Sequence, residues 1–286
     1  MVAVPVPFVS ELPVTTLNLV GAGRVGRTLA TRWARHGVFE IQDVLTSRPE
    51  SASEACAAIG SGRPVSWLAD MRPADVWMVA VQDARIAAVA ATLAATLQAG
   101  AATNPVVFHC SGAQNASSLQ PLADLGWRTA SAHCILSFAD VPTAVQQFAG
   151  TACALEGDAS ARAVLEPAFA AIGAQCFAVA SEDKVLYHAA AVFATNFLPV
   201  LQAVAEDAWQ ATGVPAELLP QLRASLLRNA VDNITRLGPA GALTGPAARG
   251  DLPAIARQAQ VVRDWDPLAG EAYQALSALT LRLAGH

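Results

Sequence analysis

Lys184 and His188 stand four residues apart in "DKVLYHAAAVFATNFLP", a single turn if the segment is helical. At about 100° per residue Thr195 joins them within about a 40° arc, while Asn196 falls roughly 120° from Lys184 on a straight helix. Tyr187 lies on the flank. Pro199 removes the N–H that would bond the carbonyl of Thr195, so a bend could swing Asn196 back toward that face. The pair suits hydride chemistry. Hydride reaching a carbonyl or imine leaves charge on oxygen or an unprotonated nitrogen, and a nearby ammonium or imidazole supplies the proton. Lys184 and His188 are therefore the candidate catalytic residues. The bland alternative, a solvated first-turn lysine and a satisfied interhelical histidine, stays open on the residues alone.

Two apolar runs end in polar text, "FHCSGA" with His109 and Ser111, and "SAHCI" with His133. In open α/β sheets ligands sit beyond the carboxyl ends of the strands, so these three are candidate substrate contacts, with Asn196 beside them. Each histidine precedes a cysteine, but successive strand residues face opposite sides, and no metal is expected. In "ALTGPAARGDLPAI" Asp251 reads as a helix cap, whereas Thr244 and Arg249 have no such duty and join the substrate candidates.

The elements that must position these groups begin at "NLVGAGRVGR". An apolar strand runs into Gly21, and helix-forming text starts near Arg24, the context that makes G-x-G-x-x-G a dinucleotide fingerprint. Gly21 permits the tight turn, Gly23 lets backbone approach a pyrophosphate, and Gly26 lets the helix lie close on the sheet. With Ala22, Arg24 and Val25 they form the expected cofactor loop at a helix N-terminus. The second strand ends "VLTSRPE", placing Ser47 and Arg48 where a ribose reader belongs. Donors there suit a 2′-phosphate, so NADP is preferred to NAD. Asp43 and Glu40 fall inside the strand. Val81 and Gln82 end a later strand beside the cofactor, and Asp83 reads as an N-cap of the next helix.

Across residues 15–180 short apolar runs alternate with helical patterns, which predicts a doubly wound, mostly parallel sheet of Rossmann type. From Ser181, read as an N-cap, the strand signals stop and helices follow. The expected fold is α/β, with a dinucleotide-binding domain over 1–180 and an all-α domain over 181–286. Of the 286 residues 53% are hydrophobic and 14% charged, with a net charge of −5. No basic block marks a nucleic-acid partner. "MVAVPVPFVSELPV" lacks a charged leader region, and the longest apolar run is broken by Asn196, Pro199 and Gln202, so no membrane partner is expected. The five scattered cysteines suit reduced thiols in a cytoplasmic protein.

"NLVGAGRVG", "FHCSGA", "AHCILSF", "DKVLYHAAAVFATNFLP" and "LTGPAARGD" together resemble a bacterial family of oxidoreductase-like proteins. In that family a Rossmann domain precedes a helical domain of unknown function. More distantly the chain is similar to F420-dependent NADP oxidoreductases, pyrroline-5-carboxylate reductase, ketopantoate reductase and the 3-hydroxyacid dehydrogenases. The hydroxyacid dehydrogenases and ketopantoate reductase carry a lysine followed four residues later by asparagine. Lys184 falls on the lysine, but His188 replaces the asparagine, which leaves the substrate class undefined. The resemblance implies an NADP-dependent oxidoreductase acting on a small carbonyl, imine or hydroxyacid, and a homodimer joined through the helical domain with its substrate cleft between the domains. A catalytically silent dinucleotide-binding sensor is the rival reading, and a deazaflavin hydride partner is a third.

Overall fold

The computed structural model describes residues 15–97 and 104–286. The N-terminal text read for a leader, and the end of the helical pattern at 98–100, lie outside them. The described chain divides into two compact units, one ending at Val192 and the other Phe193–His286. The sequence places the change of architecture near 180. The structure counts the first helical turns after it with the sheet, because Lys184 and Tyr187 anchor there.

The sheet unit alternates β1 (Thr16–Val20), α1 (Arg24–His36), β2 (Glu40–Leu45), α2 (Pro49–Ile59), β3 (Arg63–Val65), β4 (Val76–Val79) and α3 (Ile86–Leu97). It continues through β5 (Val106–His109), α4 (Gln120–Ala123), β6 (Arg128–Cys134), α5 (Val141–Gln147), β7 (Ala152–Gly157), α6 (Ala159–Ala171), β8 (Gln175–Ala178) and α7 (Lys184–Ala191). The strands form one eight-stranded sheet in the order β3-β2-β1-β4-β5-β6-β7-β8, parallel except for the β6–β7 pair. The order reverses between β1 and β4, which opens a crevice at their carboxyl ends.

Apolar strands demand cover on both faces. One core gathers around Trp33, whose indole meets Phe39, Phe108 and Phe169 edge-on at 5.2, 6.2 and 5.1 Å. Its Nε1 donates to the Ala168 carbonyl at 2.9 Å, so the polar tip of the ring is satisfied. The other core centres on Trp77 and Trp127.

The second unit holds α8 (Phe197–Ala211), α9 (Leu219–Gly241), α10 (Gly245–Ala248), α11 (Leu252–Trp265) and α12 (Pro267–Leu283). A π-helical segment, Val192–Asn196, precedes α8. It falls where Pro199 withholds a backbone donor, a common origin of such segments. Asp251 accepts from Ala254 N at 3.1 Å, the cap expected of it. Gly270 permits the α11–α12 crossing, since a Cβ there would lie 2.6 Å from Arg263 Cα. By length and hydropathy the run Ser181–Ala211 is sufficient to cross a membrane, Pro199 notwithstanding.

Candidate functional site

The glycine loop shapes one end of the site. Gly21 takes φ +88°, and a Cβ there would press within 2.6 Å of the Ala80 carbonyl. Gly26 lies against the Gly21 carbonyl and Ala80 with no room for a side chain, which seats α1 on the sheet. At Gly23 a Cβ would meet open space. The Gly23 backbone therefore faces a cleft of about 550 Å³, walled by Gly21, Ala22, Thr46, Ser47, Val81 and Gln82 among others. Among the described residues no acidic side chain lines this cleft. Asp43 on β2 is fully enclosed and turned away, held by Arg63 at 2.8 Å and Arg72 at 2.8 Å. Burial alone would raise its pKa, but the hydrogen bonds from Arg63 and Arg72 hold the carboxyl well below the usual range.

A second cluster crowns β5 and β6. Alternation puts Ser131 and His133 on one face of β6, opposite the face of Ala132 and Cys134. Glu156 on β7, the register partner of Ser131, takes hydrogen bonds from Ser131 Oγ at 2.8 Å, Ser181 Oγ at 2.6 Å and Ala116 N at 2.8 Å. Lys184, 1% exposed, donates to Ser131 Oγ and to the Ser111 carbonyl, each at 3.0 Å. Ser111 Oγ in turn donates to Asp83 at 2.6 Å. The ammonium is thus balanced by carboxylates reached through two serines. Burial lowers the Lys184 pKa, while Glu156 and Asp83 oppose the shift.

Above this lattice sit three rings. Tyr187 Oη lies 2.8 Å from His133 Nδ1, and the His133 and His188 rings meet edge-on at 5.6 Å. His188 Nδ1 is buried with no hydrogen-bond partner. A Cβ at Gly112 would land on that nitrogen and within 2.9 Å of His133 Nε2, so only glycine lets the backbone approach both imidazoles. Burial, then the charges of Lys184 and His188, push the His133 pKa down to about 4, which keeps the ring neutral near pH 7. Burial raises that of the Tyr187 phenol.

A Rossmann-like domain model matches residues 10–134, and a model of a domain of unknown function, DUF2520, matches residues 151–280. The chain carries a Rossmann-like domain followed by a DUF2520 domain. No curated protein matches it. Among solved structures, TM1727 from Thermotoga maritima is 24% identical, with a TM-score of 0.74 over 94% of this chain and 98% of that one. BF3122 from Bacteroides fragilis is 22% identical, with a TM-score of 0.69 over the same shares. The reductive aminase of Aspergillus terreus, solved with NADPH and ethyl-5-oxohexanoate, is 15% identical, with a TM-score of 0.59 over 94% of this chain and 93% of that one. At these identities the likeness is one of fold.

Within the Rossmann-like domain, six of the expected cofactor residues line the cleft: Gly21, Ala22, Gly23, Ser47, Val81 and Gln82. Arg24 instead donates to the Ala139 carbonyl at 3.0 Å, and Arg48 to Ser51 Oγ at 3.1 Å. Val25 packs against the core and Gly26 lies beneath the loop. His109 is fully enclosed and braces the turn after β5, with Nε2 3.0 Å from the Asn115 carbonyl and Nδ1 accepting from Ser111 N at 3.2 Å. Ser111, His133, Lys184 and His188 do converge, spanning the junction of the two domain models. Asn196, Thr244 and Arg249 belong to the helical unit, where Asn196 Oδ1 accepts from Thr195 Oγ1. Ser181 and Asp83 spend their side chains on Glu156 and Ser111 rather than on caps.

Glu156 escapes sequence reasoning, because "TACALEGD" offers no periodic reason to bury a carboxylate. Gly112 escapes it too, since its need for space comes from rings on distant elements. Trp67, 72% exposed on the cleft wall beside Arg27, Ser51 and Arg85, has a legible signal. It is a tryptophan in the loop immediately after β3, next to the crevice.

Proposed function

We propose that the protein is an NADP-dependent oxidoreductase transferring hydride to or from a small carbonyl, imine or hydroxyacid. The observation that carries this reading is the cleft over Gly21–Gly23, whose β2 rim presents Thr46 and Ser47 while Asp43 is locked away from it. A pyrophosphate would lie against the amino end of α1, with hydroxyl donors and the Arg27 guanidinium at the ribose end. That the Aspergillus terreus reductive aminase, of the same fold, was solved with NADPH supports the choice of cofactor. When bound, the dinucleotide would supply or accept the hydride. This chain's residues then handle the proton: His188, with His133 and Tyr187 beside it, faces the acceptor atom, while Lys184 braces the β5 loop and adds positive potential from beneath.

The helical unit's part is assembly. Among its described residues only Leu219, Ala269 and Gly270 are buried. A second copy covering Phe193, Val200, Val231 and Ile234 would give it the core it lacks, and a cytoplasmic homodimer belongs to the same reading.

Titration calorimetry tests the cofactor. NADPH should bind at least about tenfold more tightly than NADH, a difference of about 1.4 kcal/mol. No uptake of either at millimolar concentration would remove the proposal. The enclosure of Lys184 favours a second reading, a dinucleotide sensor without chemistry. Tight NADPH binding with no oxidation by any offered carbonyl or imine would select it.

A further inference from the structure

Three cysteines stand in register across adjacent strands: Cys134 on β6 opposite Cys153 on β7, and Cys153 beside Cys176 on β8. All three pack into the Trp33 core, on the face of the sheet away from His133. Cys134 Sγ lies 3.4 Å from Cys153 Sγ. Ile135 N donates to the Ala152 carbonyl at 2.8 Å, which makes residues 135 and 152 the hydrogen-bonded pair of the antiparallel ladder. Cys134 and Cys153 therefore occupy the neighbouring non-hydrogen-bonded position. There Cα atoms are about 4.5 Å apart and side chains stand closest, within the span a disulfide bridges.

The row also has an entrance. Cys134 and Cys153 are buried, but Cys176 is half-buried on the edge strand and lines a cavity of about 130 Å³ with Arg162 and Glu166. We propose that this row is an oxidation site, entered by a peroxide at Cys176 and closed as a disulfide between Cys134 and Cys153.

The steps balance. The Cys176 sulfur takes one oxygen from the peroxide, breaking its O–O bond and giving a sulfenic acid and an alcohol or water. The Cys153 thiol displaces water from that sulfenic acid, forming the Cys153–Cys176 bond. The Cys134 sulfur then attacks Cys153, its proton passing to the departing Cys176 sulfur. In sum, two thiols and one peroxide become one disulfide, one alcohol and one water. The neighbouring Cys134 side chain and burial raise the Cys153 pKa, and the Cys153 side chain and burial raise that of Cys176, so both thiols stay protonated at neutral pH and closure is slow; Cys176 is the door because it is the sulfur that peroxide can reach.

Peptide mapping of the whole protein tests this without any substitution. Trypsin leaves Cys134 and Cys153 together in the 129–162 peptide, which has no interior Lys or Arg, and Cys176 in 163–184. After hydrogen peroxide, then alkylation in denaturant, the 129–162 peptide should appear two hydrogens lighter and unalkylated, while the 163–184 peptide stays alkylated. Cys134→Ser should halt the relay and link 129–162 to 163–184. Cys176→Ala should slow closure about tenfold, because peroxide then reaches only the buried pair. Folding of both variants is checked by near-ultraviolet circular dichroism, and the wild-type map decides alone if either unfolds. Full alkylation of 129–162 after oxidation of the other cysteines, or five intact thiols, would overturn the proposal. The outcome does not depend on whether a dinucleotide binds.

Discussion

The two units spend their apolar residues in opposite ways. In the sheet unit Trp33, Trp77, Phe108, Phe148 and Phe169 are fully enclosed, and the strands read as continuous apolar runs because both faces are covered. In the helical unit Phe193, Leu198, Val200, Val231, Ile234 and Val261 stand at the surface, and among its described residues only Leu219, Ala269 and Gly270 are buried. Hydrophobic content alone does not make a core. The sheet unit closes on itself, whereas the described helices leave large apolar side chains exposed, which the proposed homodimer would cover.

The largest effect should come from attacking that stripe. Val231 and Ile234 are three residues apart on α9 and both exposed. Replacing them together by glutamate should convert a dimer to monomer in sedimentation equilibrium and lower the melting temperature by roughly 10 °C or more. A wild-type protein that is monomeric at micromolar concentration would break the comparison, because a single copy would then be stable with its helices uncovered. The sheet unit should respond locally instead. Trp33→Ala should cost about 3–5 kcal/mol in urea unfolding without changing the assembly state. Sharper still is Gly26→Val, which forces a Cβ to within 2.9 Å of the Gly21 carbonyl. It should weaken NADPH uptake about a hundredfold, or about 2.7 kcal/mol, and leave dimerisation alone.

How far the sequence could be read follows the same division. The glycine loop and the β-α alternation were legible because their constraints are local: a turn, a helix start, a short apolar strand. The antiparallel entry of β7 was not, since "TACALEG" looks the same in either direction and only its pairing with β6 decides. Lys184 was legible as a polar intruder in an alanine-rich helix. Its enclosure was not, because Glu156, Ser131 and Ser111 come from three other segments. Arg48 follows Ser47 at the end of β2, yet it does not line the cleft and its guanidinium turns to Ser51, a rotamer choice no pattern records. In the helical unit caps such as Asp251 were readable, because a cap is set by its own neighbours in the chain.

The smallest effect separates the two units by pH. Burial and the neighbouring charges of Lys184 and His188 bring His133 down to about 4 from an ordinary 6.5. Burial likewise lowers His109, the other enclosed histidine of the sheet unit. The unfolded chain therefore takes up these protons near pH 6.5 while the folded chain refuses them. Stability contributed by the neutral rings is complete above that value and is lost as pH falls toward 4, by on the order of 3 kcal/mol for His133. Urea midpoints should be flat between about pH 8 and 7 and decline below about 6.5. His133→Asn should remove most of the decline, leaving the share that belongs to His109. Since these shifts arise within the sheet unit, assembly measured at the same pH values should hold steady down to about pH 5.5. A decline unchanged in His133→Asn would place the titration elsewhere and leave the three-ring cluster without the enclosure assigned to it.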